Sequence, residues 1–157
     1  MSRFPRRLTR QSRDAYVEAV QRVDANTQPL WGKMTAHRML AHLRLALEAA
    51  EKDEQPTEPL EGSVLKRRLM RFFFFDLPTP WPKGKIKVPD RLTPPPEHAF
   101  EMERDLVVAA IDRFLDLAEA EPNRTVRHPV LGDMTLDYWR RIHARHMQHH
   151  LKQFGAI

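Results

Sequence analysis

The chain has 157 residues, 41% of them hydrophobic, with 26 Lys and Arg against 21 Asp and Glu for a net charge of +5. That length suits one domain with a buried core, and the apolar content argues against wholesale disorder. There is no cysteine, which excludes disulfides, thiolate ligands and cysteine nucleophiles, and no run of about 18 apolar residues exists to form a membrane-spanning helix.

The chain opens on a basic stretch containing Arg3, Arg6, Arg7, Arg10 and Arg13. No apolar segment follows it, so no secretory signal is expected and the protein is read as soluble and cytoplasmic. The excess positive charge is read as solvated surface, with nucleic-acid binding as the alternative. A first helix is expected from Ser12 to Val23, with Ala15, Ala19, Val20 and Val23 at helical spacing. Pro29 and Gly32 break it. A second helix is expected from an N-capping Thr35 to Lys52, on the stripe of Met39, Leu40, Leu43, Ala46 and Leu47. A third opens at Pro96, buries Val107, Ile111 and Phe114, and stops at Pro122. A fourth begins at Asp133 or Thr135 and runs to Phe154, where Gly155 ends it. With no strand pattern visible, the expectation is an all-α four-helix bundle.

A proline-rich insert, residues 53–95, separates the second and third helices. Its centre, VLKRRLMRFFFFDL, reads as a short extra helix, and its tail as an extended crossover or lid. The rings of Phe72–Phe75 are expected to roof the bundle or line a pocket. The alternative is a membrane surface gripped with Arg67, Arg68 and Arg71.

Four of the eight histidines fall within residues 141–150. On a helix, His143, His146 and His150 share one face with Trp139, Met147 and Phe154, while His149 lies at its edge. On the second helix His42 borders the apolar stripe, and His37 falls on the opposite, polar side with Arg44. Two histidines four residues apart can grip one metal ion, and His146 with His150 have that spacing. His42 is the inward candidate for a third ligand. Three imidazoles without a carboxylate leave a coordination position open, as a reactive site requires. A hydrogen-bonded polar core and a solvated or nucleic-acid-facing stripe are the competing readings. His143 and Gln153 are candidates for a supporting or catalytic role at the site, and His128 is read as structural.

The segments WGKMTAHRMLAHL and HPVLGDMTLDYWRRIHARHMQHHLKQFG resemble the DinB-like superfamily of four-helix-bundle metalloproteins, and within it a small bacterial branch of unknown function. The shared features are Trp31–Met34, His42-Leu43, Lys83-Gly84-Lys85, and His146 through Gly155. The resemblance implies that His42, His146 and His150 hold a divalent ion, in a bundle with a long crossover that often forms homodimers. Zn or Ni suits imidazole best, with Fe or Mn as alternatives. Characterised members of the superfamily include thiol-dependent transferases, which implies a low-molecular-weight thiol as one partner and a small electrophile as the other. A non-catalytic metal- or ligand-binding stress-response module is the alternative. Other chemistry lacks its motifs: there is no Gly-rich phosphate loop and no Gly-x-Ser-x-Gly elbow.

Overall fold

A computed structural model describes residues 3–52, 63–77, 79–84, 93–128 and 130–157 of the chain. Among the described residues it is mostly helical, with five helices and one two-stranded antiparallel sheet. Thr9 and Ser12 cap each other reciprocally to start a 3-10 turn, Arg10–Ser12, which leads into α1, Arg13–Gln21. The Thr35 side chain accepts from Arg38 N to start α2, Ala36–Glu51. Ser63 caps α3, Val64–Arg71, which continues as a π turn over Phe72–Asp76. Then come α4, Phe100–Ala120, the hairpin strands β1, Thr125–His128, and β2, Gly132–Thr135, and finally α5, Leu136–Gln153.

The apolar stripes meet in one core. α2 and α4 share the most extensive interface, α1 packs on α4 and α5, and α2 packs on α5. Tyr16, Leu43, Leu47, Phe114, Leu115 and Leu151 are fully buried there, each contributing roughly 1.5–3 kcal/mol of transfer free energy. The register of α2 and α5 in this core decides which histidines face inward.

Three features differ from the sequence reading. The hairpin makes the fold mostly helical rather than all-α: Val126 pairs with Met134 and both are buried, while Thr125 pairs with Thr135. Four-residue strands are too short for their alternation to stand out. α4 starts at Phe100, four residues after Pro96, because the intervening backbone is engaged elsewhere. The His98 carbonyl accepts from His37 Nε2 at 2.8 Å, and its N–H bonds back to the Glu103 carboxylate. The side of α2 assigned to solvent is also partly buried. Arg44 is 6% exposed and grips the fully buried Glu103 through two bonds of 2.8 and 3.2 Å. Burial alone would raise the Glu103 carboxyl, but Arg44 and His98 hold it below the usual carboxylate range.

The short helix expected in the insert is α3. Arg71 ties it to the hairpin through the Leu131 and Asp133 carbonyls, and Asp76 ties the following turn to Arg141 of α5 at 2.9 Å. The remainder of the expected crossover, residues 53–62, 78 and 85–92, lies outside the described residues.

Candidate metal centre

Two helices and one loop build the centre. α5 begins where the Thr135 side chain accepts from Tyr138 N. It ends where Gly155 takes a φ of +67°, a conformation open to glycine. Within it, His146 and His150 stand one turn apart. α2 crosses them with His42. The described residues bring these three imidazoles together, with one ligating nitrogen from each within 4.8 Å of the others. Ring centroids lie 4.7, 4.8 and 5.1 Å apart, and the planes cross at 75–89°. The rings thus surround a common point edge-on rather than stacking as an apolar cluster.

His42 Nε2 and His146 Nε2 are 2.8 Å apart. A hydrogen bond between two imine nitrogens requires one of them to carry a proton, and a metal ion would replace that single proton. Two nitrogens on one tetrahedral ion with bonds near 2.1 Å are about 3.4 Å apart, so a small swing of either ring is enough. The donor set could therefore hold a divalent ion.

Electrostatics keep His146 and His150 in the neutral form that a metal ion requires. Burial pushes the His150 imidazole down to about 3, with His42 adding repulsion and the Gln153 hydrogen bond opposing it. Burial, followed by the His42 and His150 charges, holds His146 well below the usual histidine range. Both rings are neutral at pH 7, with lone pairs available.

Gln153 is buried at the same site and fixes its geometry. Its Nε2 donates to the Trp31 carbonyl at 2.8 Å, so its Oε1 must be the acceptor facing His150 Nδ1 at 2.9 Å. Nδ1 therefore carries the proton and Nε2 the lone pair. A second bond, Leu30 N to Gln153 O at 2.7 Å, clips the same loop to the end of α5. Gly32 makes the close approach possible. Its φ is +81°, and a Cβ there would lie 2.9 Å from Gln153 Nε2.

The centre faces a cavity of about 460 Å³ lined by Trp31, Met34, Trp81, Thr93 and His149 along with the three histidines. Trp81 is held over it by donating Nε1 to the Phe74 carbonyl at 2.6 Å. Phe74 and Phe75 pack edge-on against Trp81, whereas Phe72 and Phe73 are exposed at 48% and 56%. The phenylalanine run thus divides: one half backs the pocket wall and the other faces outward.

The remaining histidines sort differently. His143 is 1% exposed, packs edge-on against Phe114 and at a tilt against Trp139, and lies outside the cavity. Burial lowers it to about 3, with His128 adding a smaller repulsion, so it does not act as a base at neutral pH. His128 accepts from Val130 N and Leu131 N and packs on Trp139, a structural role. His37 bonds to His98, away from the centre. His149, placed at the stripe edge by helical phase, forms cavity wall between Trp31 and Trp81. Sequence reasoning missed that, together with Lys33, which also lines the cavity. The position of His149 next to His150 was the only signal.

The family model described as a protein of unknown function, DUF1569, matches residues 3–156. The chain belongs to that family. No curated protein and no solved structure matches it.

Proposed function

We propose that this member of the DUF1569 family is a DinB-like four-helix-bundle metalloprotein. In it His42, His146 and His150 hold one divalent ion, zinc or nickel by preference, and the open side of that site binds a small ligand for thiol S-transfer. The observation that carries the reading is the convergence of three imidazoles on one point in the lining of an open cavity. A divalent ion held by neutral ligands keeps its full charge and would acidify a thiol or polarise a carbonyl.

The protein's own groups favour a thiol over water as nucleophile. Among the described residues the cavity presents no carboxylate, and its nearest spare histidine, His149, is lowered by burial and by Arg145 and Lys152. His143 is walled off. Activating water benefits from a general base, whereas a thiol, with a pKa of about 8.5, needs only modest acidification. In the transfer, the thiol proton leaves to solvent, sulfur forms a bond to an electrophilic carbon, and the leaving group departs with its electron pair. Trp31, Trp81 and Met34 supply an apolar wall against which a small electrophile can lie.

The test is to follow loss of a low-molecular-weight thiol in the presence of alkyl halides and epoxides, using zinc- or nickel-loaded protein. Acceleration that requires both the metal and His146 supports the reading. Metal-loaded protein that neither binds thiols nor consumes them would leave a non-catalytic binding module as the better description.

A further inference from the structure

We infer that the ligand entering this cavity is a small organic anion, whose donor atom meets the metal while its negative group is held by Lys33 and Lys83 at the mouth. The inference rests on the metal reading above and adds the charge of the ligand. It starts from an asymmetry in how the protein uses charge. Elsewhere on the described surface many arginines are matched to acids, among them Arg7 to Asp137, Arg13 to Asp112, Arg127 to Asp133 and Arg141 to Asp76. The cavity breaks that habit.

Lys33 lines the main cavity. Lys83, Arg145 and Lys152 line a smaller recess that shares Trp31, Trp81 and His149 with it. Among the described residues no Asp or Glu lines either space, and no carboxylate pairs with the three lysines. Lys83 Nζ sits 4.6 Å from the centroid of the Trp31 ring, above an indole that itself lines the cavity.

Two buried donors add to this. The Trp31 Nε1–H finds no acceptor among the described residues, and neither does Arg38 Nε. Arg38 stands one turn before His42 on α2 and bonds to the carbonyl of Thr93, another cavity residue. Burying a donor without an acceptor is unfavourable unless something supplies one. A divalent ion held by neutral ligands at the floor adds two more positive charges. The whole lining thus lacks an anion, and the parallel between a cationic rim and an uncompensated metal selects for a negatively charged guest.

The test uses the full chain loaded with cobalt(II), whose visible absorption reports the metal and whose sulfur-to-metal band reports a thiol ligand. Three thiols of similar size are titrated: 3-mercaptopropionate, 2-mercaptoethanol and cysteamine. The amine of cysteamine acidifies its thiol, so intrinsic reactivity runs against the order expected here. The anionic thiol should bind at least about tenfold more tightly than the neutral one, cysteamine should bind weakest, and the preference should shrink as salt is added. In the double variant Lys33→Gln with Lys83→Gln, the cobalt spectrum should persist while the preference falls to within about twofold. Equal affinity for the three thiols in the wild type, or a preference that survives in the double variant, overturns the inference. A protein that shows no cobalt spectrum at all contradicts the metal reading itself and removes the inference with it.

Discussion

The Gln153 amide oxygen lies 2.9 Å from Nδ1 of His150, and this contact fixes which nitrogen of the imidazole is free. The amide cannot turn over, because its NH2 is committed to the Trp31 carbonyl. Replacing Gln153 with Ala removes that constraint without touching a ligand. Metal affinity, measured by competition with a chromophoric chelator, should fall about ten- to a hundredfold while the helical content stays the same. An unchanged affinity would show that His150 is oriented by other means.

Gly32 acts on the same contact from the other side. Its φ of +81° and the 2.9 Å approach of Gln153 Nε2 both oppose a side chain. Gly32→Ala should lower stability by about 1–2 kcal/mol from backbone strain. It should also weaken metal binding, because the amide must move. A substitution that lowers Tm while leaving metal affinity intact would separate the loop from the centre.

Stability depends on pH through the buried histidines: His146 and His150 at the centre and, away from it, His143 and His128. Burial lowers the latter two to about 3 and about 4, against 6.5 for a free histidine. Between those values the unfolded chain binds protons that the folded one does not. Their contribution is therefore fully present above about pH 6.5 and is lost as the pH falls toward 4 and then 3, at up to about 1.4 kcal/mol per pH unit for each group. Urea titrations of metal-free protein from pH 7 to pH 4 should show a slope in this direction, and His143→Phe should make it shallower. Parallel curves for the two proteins would contradict the assignment.

The ion pair between Arg44 and Glu103 is buried in the interface of α2 and α4. Glu103→Gln leaves the buried Arg44 guanidinium with Glu48, 2.9 Å away, as its remaining charge partner and should cost about 1.5–3 kcal/mol. Replacing both residues with Met and Leu should recover most of that loss, which a double-mutant cycle in urea would measure. Metal content should not change in any of these variants, because the pair lies on the far side of α2 from His42.

These relationships differ in how far the sequence exposes them. The periodic stripes of α2 and α5 are strong enough to assign both helices to within a residue or two. They also assign His42, His146 and His150 to the inward side, because one helical face is a local property. The Thr35 cap and the Gly155 stop are equally local. The hairpin is not legible, since four residues of TVRH and GDMT give no countable period. Arg44 looks like solvent-facing charge until α4 brings Glu103 against it from 59 residues away. The cavity wall is hidden for the same reason: Trp31, Trp81 and His149 meet only through tertiary folding. The role of Gln153 was suggested by its spacing from His150, but its commitment to Trp31 depends on where a distant loop docks.

The central claim is that three histidines hold one metal ion, and elemental analysis of the purified chain tests it most directly. Wild type, His146→Ala and His149→Ala would be equilibrated with zinc, freed of excess and analysed alongside circular dichroism. Wild type and His149→Ala should each retain about one ion per chain, and His146→Ala, folded to the same helical content, should retain close to none. Wild-type protein without stoichiometric metal, or a folded His146→Ala variant that binds as much as wild type, would contradict the account.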